Sequence, residues 1–270
     1  SPIRQVARAY SALLGIDHSL HVLADSSVAS AVAAARSDGA GSPGTDPYRL
    51  VEAMGLRLLL DPRSLVDRSV VEHGAWELDR IEFLLSTART MAAGRRPLFL
   101  DIGAYWGLYA MLAARAELFD EVLAFEPDRH NFAQLQAQLF LNELSTRIDA
   151  RHAAASSTSG SVHLMFSRSH PDGNRAGVGV VPHDQPGEDV QAVTIDDVVD
   201  VTGRFVVAKI DVEGHEHAVL DGMERVIARN EVLLQVEVFE PQRAAVMPRM
   251  EELGLRVVHE MYPDCFVTNA

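Results

Sequence analysis

The sequence has a single cysteine, Cys265, which excludes an internal disulfide and a cysteine-based zinc site. A small apolar role in a late strand is expected for it. No apolar run approaches the roughly 20 residues that a bilayer-spanning helix needs. The first residues, SPIRQVARAY, lack the apolar core of a secretory signal. A cytoplasmic location without a membrane partner is therefore expected. Basic runs are missing too: Lys and Arg number 24 against 38 Asp and Glu, a formal net charge of −14. Binding a phosphate backbone needs clustered cations, so nucleic acid is a poor candidate partner, and the acidity reads as a solvated surface. What the chain does have is 270 residues that are 47% hydrophobic, enough for one sizeable core and a smaller appendage.

Residues 1–94 read as a mainly helical N-terminal cap. Alanine-rich helical patterns cover Ile3–Leu14 and Leu20–Arg36, and the Gly- and Pro-dense stretch Asp38–Pro47 breaks them. Leu56–Leu60 resembles a strand. Ile81, Leu84, Leu85, Ala88 and Met91 recur at helical spacing, with Gly94 suited to the stop. Residues 95–270 alternate strand and helix. Strands are expected at Leu98–Ile102, Glu121–Phe125, Ile148–Ala154, Phe205–Val212 and Val232–Phe239. Helices are expected at Leu108–Glu117, Asn131–Leu141, Thr194–Val199 and Glu216–Ala228. Ser161–Phe166 alternates like a hairpin strand, and Arg256–His259 with Cys265–Thr268 suggests an antiparallel pair. This alternation predicts an α/β fold, a mostly parallel sheet with helices on both faces.

In such sheets a strand delivers its C-terminal end to the ligand crevice, and the next helix points its first amides there. Asp101-Ile102-Gly103-Ala104-Tyr105-Trp106-Gly107 stands at such a junction. Gly103 and Gly107 let the backbone turn sharply and approach a ligand. A dinucleotide fingerprint would read G-x-G-x-x-G and keep the turn open for a pyrophosphate. Here the pattern is D-x-G-x-x-x-G, with Tyr105 and Trp106 in the middle and an acid placed to meet a ligand ammonium. The methionine end of S-adenosylmethionine fits, and NAD fits badly. Taken alone, the motif is as compatible with an ordinary βα turn. Phe125-Glu126-Pro127-Asp128 tips the balance: Glu126 lies 25 residues beyond Asp101, near the roughly 20-residue offset at which an acid meets ribose hydroxyls. Ala104, Tyr105, Pro127 and Ala153 complete the expected cofactor surface, although Ala153 also reads as plain packing.

Asp101–Ala110, Phe125-Glu126-Pro127 and above all Lys209-Ile210-Asp211-Val212-Glu213-Gly214-His215-Glu216 resemble the FkbM family of S-adenosylmethionine-dependent methyltransferases. The resemblance runs from about Asp101 to Phe266, with a looser echo in Leu60-Asp61-Pro62 through Gly74-Ala75-Trp76-Glu77. It implies a class I methyltransferase fold, Rossmann-like, with seven strands and the last antiparallel. It also implies O-methylation of hydroxyls on sugars or polyketide-type natural products. By position, Asp101, Gly103, Gly107 and Glu126 correspond to the cofactor residues. The family commonly carries Asn where this chain has Tyr105.

Methyl transfer from a sulfonium requires an oriented acceptor oxygen and removal of its proton. The strand ending near Asp211 delivers Lys209, Asp211, Glu213 and His215 beside the switch point of the sheet, the first three on one side if the strand stays regular. His215, with an ordinary pKa of about 6.5, is the leading general base, yet Gly214-His215-Glu216 also reads as a helix start. Asp211 and Glu213 admit several readings. They orient the methionine ammonium and the acceptor, hold His215 in its useful tautomer, or join Glu237 around Mg²⁺; the metal reading is not favoured. A salt bridge to Lys209 is the plain alternative. Trp76 and Glu77, with Glu237, are the expected acceptor contacts, although a Trp is more often core. Two rival functions stand: a nicotinamide-dependent oxidoreductase, disfavoured by the missing third glycine, and a non-catalytic interaction domain, disfavoured by the intact turn.

Overall fold

The computed structural model describes residues 48–166 and 174–270. The helices expected at Ile3–Leu14 and Leu20–Arg36, and the break at Asp38–Pro47, lie outside the described residues. The chain divides into two compact units, residues 1–76 and 77–270.

In the first unit, β1 (Arg49–Ala53) pairs antiparallel with β2 (Leu56–Leu60). Strand β2 is the one expected at Leu56–Leu60, and β1 is unforeseen. The turn is Met54-Gly55, both with positive φ (54° and 71°), the backbone that a tight two-residue hairpin loop demands. Met in place of the usual Asn or Asp hides that signal. Helix α1 (Leu65–His73) follows and stops at Gly74, whose left-handed φ of 76° lets its N–H bond the Val70 carbonyl.

The second unit opens with α2 (Leu78–Ala92), which buries Ile81, Leu84, Leu85 and Ala88 as the helical spacing predicts. Then come β3 (Leu98–Ile102), α3 (Leu108–Arg115), β4 (Glu121–Phe125), α4 (Arg129–Leu141) and β5 (Asp149–Arg151). Next are β6 (Ala154–Ala155), β7 (Gly160–Met165), β8 (Gly187–Val193) and α5 (Ile195–Val198). The remainder is β9 (Phe205–Ile210), α6 (Glu216–Asp221), α7 (Glu224–Arg229), β10 (Glu231–Glu237), α8 (Arg243–Glu252), β11 (Arg256–Met261) and β12 (Asp264–Thr268).

Seven strands form one sheet in the order β5-β4-β3-β9-β10-β12-β11. The pairs from β5 through β10 are parallel, and β12 runs antiparallel to both of its neighbours. The chain leaves β3 toward β4 and later returns to β9 on the other side of β3. That reversal leaves a crevice over the C-terminal ends of β3 and β9. One sheet face carries Leu100, Ile102, Ala208, Ile210, Leu234 and Val236, packed with Val219, Leu220 and Met223 of the α6 region and Val246 and Met250 of α8. The other face meets α2 and α3, where Phe83 packs edge-on against Phe266 and the Lys209 ammonium lies over the Tyr109 ring.

Two expectations change here, and one helix was not foreseen. The single strand foreseen at Ile148–Ala154 is two: β5 ends at Arg151, and the chain then enters a small second sheet, β6-β8-β7. The helix foreseen at Glu216–Ala228 is two, α6 and α7, separated at Gly222 and Met223; a Cβ at Gly222 would stand 2.0 Å from the Ser156 carbonyl oxygen. Helix α8 has no counterpart in the sequence reading: Pro248 sits inside it, and only Val246 and Met250 are buried.

Candidate active site

The β3–α3 turn folds as its glycines require. Gly103, Tyr105 and Gly107 have φ of 82°, 52° and 88°. A Cβ on Gly103 would stand 1.7 Å from the Asp211 carbonyl oxygen, and one on Gly107 would stand 2.3 Å from Leu135 Cδ1. Gly103 and Ala104 both donate their N–H to the Phe125 carbonyl (3.0 and 2.9 Å), which ties the turn to the end of β4. Asp101 is buried. Its Oδ2 accepts the Ala110 N–H at 2.9 Å, and its Oδ1 has no hydrogen-bond partner among the described residues. Burial pushes its pKa up to about 6 against the lowering effect of Lys209. A buried carboxylate oxygen without a donor is costly, and a ligand ammonium is the group that would satisfy it.

Glu126 closes the turn from the β4 side. Its Oε2 accepts the Tyr105 N–H and its Oε1 the Asp128 N–H, both at 2.8 Å. Burial, and then the Asp128 carboxylate, raises its pKa to about 8. The Asn131 side chain also hydrogen-bonds this carboxylate. Asp128 caps α4 through the N–H groups of His130 and Asn131. The Pro127 carbonyl pairs with His152 Nε2 at 2.9 Å, and Ala104 and Ala153 are buried beside these strand ends. Trp106 is 1% exposed and belongs to the core.

Asp101, Lys209 and Gln235 stand in one row across β3, β9 and β10. Lys209 is the only lysine of the 270 residues, and it is buried with its ammonium 2.5 Å from Asp211 Oδ2. Burial alone would lower its pKa, but the carboxylates of Asp211, Glu77, Glu237 and Asp101 raise it, so the lysine stays charged. Burial pushes the Asp211 carboxyl up, yet Lys209 and a hydrogen bond shared with Glu237 hold it below its ordinary value. Burial, with the Asp211 charge, raises Glu237 well above the usual range and Glu213 to about 7. Carboxylate oxygens of Asp211, Glu213 and Glu237 all lie within 4.8 Å of one another. Glu213 reaches the cluster from a left-handed backbone (φ 53°), so it does so by leaving the regular strand rather than by alternation along it.

His215 begins α6, and its Nε2 is 2.9 Å from Ser156 Oγ. Burial lowers its pKa. The polar partner of this ring is thus Ser156 rather than Asp211 or Glu213, a residue of a Ser-rich stretch with no local sequence signal. Glu216 Oε1 accepts the Gly214 N–H at 2.8 Å and steadies the same bend. Glu77 also has a left-handed backbone (φ 48°), and its Oε2 accepts the Tyr109 hydroxyl at 3.0 Å. Gln235 Nε2 donates to the Tyr109 oxygen (2.9 Å) and to Asp264 Oδ1 (2.7 Å), and Arg80 pairs with Asp264 Oδ2 at 2.6 Å. This buried network beneath Lys209 assembles residues up to 187 positions apart in the sequence, from Glu77 to Asp264; no spacing foretold it. Trp76 is half-buried and lies in the first unit.

Strand order, glycine turn and the acidic ends of β4 and β9 define a class, the S-adenosylmethionine-dependent methyltransferases with a Rossmann-like sheet. Residues 101–257, more than half of the chain, match the methyltransferase FkbM domain. The chain belongs to the FkbM methyltransferase family, and its cofactor is S-adenosylmethionine. No curated protein matches the sequence. Among solved structures, it is similar to an FkbM methyltransferase from Methylobacillus flagellatus KT at 20% identity and a TM-score of 0.44. That match covers 64% of this chain and 43% of the other, so the chain spans less than half the length of that relative. It is also similar to an S-adenosylmethionine-dependent methyltransferase from Agrobacterium tumefaciens (9% identity, 84% and 71% covered, TM-score 0.46). A ribosomal protein L11 methylase from Lactobacillus delbrueckii subsp. bulgaricus shows 12% identity, 70% and 77% coverage and a TM-score of 0.40.

Proposed function

We propose that the chain methylates a hydroxyl oxygen of a small molecule, a sugar or a natural-product intermediate, with S-adenosylmethionine as donor. The observation that carries this reading is the acid cluster of Asp211, Glu213 and Glu237 around Lys209, next to the cofactor turn. Carboxylates accept hydrogen bonds from acceptor hydroxyls, and the net charge of −14 disfavours a phosphate backbone. The cofactor brings an electrophilic methyl on a sulfonium that is its own leaving group. The chain has to bind its methionine end and ribose, orient the acceptor and take a proton. Asp101, Gly103, Ala104, Tyr105, Gly107, Glu126, Pro127 and Ala153 form the proposed cofactor surface. Asp211, Glu237 and Glu77 orient the acceptor. His215 is the proposed base: burial keeps its ring neutral near pH 7, and Ser156 steadies it.

The test offers the purified chain S-adenosylmethionine with a panel of hydroxylated sugars and polyketide-type alcohols, and mass spectrometry reads a gained methyl. His215→Ala is expected to lose at least about 100-fold in kcat, the scale of one general base, with calorimetric cofactor affinity unchanged. With His215 as base, kcat/KM rises with pH through a value below about 6.5; a limb near 7, together with an active His215→Ala, transfers the role to Glu213. Folded protein that binds neither the cofactor nor its demethylated product sinks the reading.

A second reading rests on one observation. The three clustered carboxylates are a hard oxygen set that suits Mg²⁺. Lys209 opposes it, because its ammonium already occupies the Asp211 side of the cluster. Turnover abolished by chelator dialysis and restored by Mg²⁺ would favour the cation.

A further inference from the structure

A second group of ligating side chains stands apart from the acid cluster, on the small sheet. His163 of β7 and Asp189 of β8 face each other directly in the antiparallel register, with His163 Nδ1 2.7 Å from Asp189 Oδ1. Residues 179–181 run beside β7. Val181 N–H donates to the His163 carbonyl at 2.9 Å, Met165 N–H to the Gly179 carbonyl at 3.1 Å, and Leu164 bridges Val180. This course places His183 Nδ1 3.5 Å from the same Asp189 oxygen, with the two imidazole rings 4.7 Å apart. The three donor atoms all lie within 4.8 Å of one another.

The position of His163 is built rather than incidental. Its Nε2 lies 3.1 Å from the Gln185 carbonyl oxygen. That contact holds Nε2 as an N–H and turns Nδ1 toward Asp189, to which it donates in the ion-free chain; an ion would take the place of the Nδ1 proton, with the carbonyl on Nε2 as the outer contact that orients metal-binding histidines. Gly187 makes room for the ring, since a Cβ there would stand 2.7 Å from His163 Nε2 and 2.4 Å from the Leu164 carbonyl oxygen.

We propose that His163, His183 and Asp189 bind a divalent transition-metal ion of the zinc type, through Nδ1 of both histidines and a carboxylate oxygen, with the remaining position left to water. Two imidazole nitrogens and one carboxylate oxygen form a borderline set that suits Zn²⁺ better than Mg²⁺. Ligand bonds of about 2.0–2.2 Å in a tetrahedral site put neighbouring donors roughly 3.3 Å apart. The His183–Asp189 spacing of 3.5 Å already meets this. The His163–Asp189 spacing of 2.7 Å has to widen, and Asp189, whose side chain is 58% exposed, is free to move outward. The ion would clip the segment 179–183 to both strands of the hairpin. That segment also borders the acid cluster: at Gly179 a Cβ would stand 2.6 Å from the Glu213 carbonyl oxygen. The clip would steady one wall of the catalytic end without entering it.

The test uses the full chain without a histidine tag, stripped of metal and titrated with Zn²⁺ by calorimetry, with Co²⁺ absorption as a second probe. One Zn²⁺ is expected to bind with a Kd at or below about 10 μM (about −7 kcal/mol), and Co²⁺ to give the intense visible bands of a low-coordinate site. His183→Ala and Asp189→Asn, both at exposed positions, are each expected to weaken Zn²⁺ at least tenfold, whereas Glu213→Gln and Glu237→Gln leave it unchanged. In the wild type, Zn²⁺ should slow amide exchange at Val181. Unaltered Zn²⁺ affinity in a folded His183→Ala/Asp189→Asn double variant overturns the proposal, as does a wild-type chain that binds no Zn²⁺. Affinity lost in Glu213→Gln instead assigns the ion to the acid cluster and also overturns it.

Discussion

Tyr105 is held at φ 52° in the middle of the β3–α3 turn, a backbone that costs most residues roughly 1–2 kcal/mol and Asn much less. The resemblance to a family that commonly carries Asn there acquires a physical reason: the position needs a left-handed residue. Here the ring has compensating contacts, with the Arg175 guanidinium 5.9 Å from its centroid and Trp106 at 6.1 Å. Tyr105→Asn relieves the backbone and loses those contacts, so Tm is expected to stay within a few degrees and cofactor affinity within about tenfold (about 1.4 kcal/mol). Thermal melts and calorimetry check this, and loss of the fold would contradict it. Glu126 makes a prediction in pH. Its pKa, ordinarily 4.5, is raised to about 8 by burial in the folded chain. The folded state thus holds the proton more tightly than the unfolded state, and the associated stability, full below 4.5, is lost as pH rises through about 8. Without cofactor, Tm should fall between pH 6 and 9, and Glu126→Gln should flatten that fall; equal slopes would refute the assignment.

At the scale of elements, the β3–α3 turn was legible because its requirements are local: a strand, two glycines, an acid and the next helix. The close approach of Gly103 to Asp211 was not legible, since it joins residues 108 positions apart. Gly103→Ala and Gly254→Ala separate the two components. Both glycines have left-handed φ (82° and 75°), but only Gly103 has an atom within 4 Å of the added Cβ. Gly254→Ala should cost about 1–2 kcal/mol, and Gly103→Ala more than about 4 kcal/mol, in the range reserved for steric or buried-polar disruption. Urea unfolding measures both; equal costs would remove the contact from the explanation. The elements that escaped the sequence reading escaped it for particular reasons. Helix α8 carries Pro248 and buries few side chains, β1 turns on Met-Gly, and β8 opens on Gly-Glu-Asp, which reads as a loop.

At the scale of the whole molecule, the two compact units make a thermodynamic prediction. The proposed cofactor contacts all fall within residues 77–270. Saturating demethylated cofactor, at a hundred times its Kd, stabilises the unit that binds it by about 2.7 kcal/mol, a Tm shift of about 5–11 °C for some 200 residues. If the units melt separately, only the transition of residues 77–270 should move in calorimetry. A shift confined to the other transition would misplace the site.

Sequence by itself determined the α/β class, the glycine turn after β3 and the acid at the end of β4, because each depends on neighbours along the chain. It could also name Lys209, Asp211, Glu213, His215 and Glu237 as residues of interest. Tertiary structure alone decided how they pair: β9 and β10 align Lys209 with Gln235 and Ile210 with Val236, which brings Glu237 to Asp211 and leaves His215 to Ser156. Register between strands, burial and the meeting of like charges set those partners, and none of them is a property of spacing along one segment.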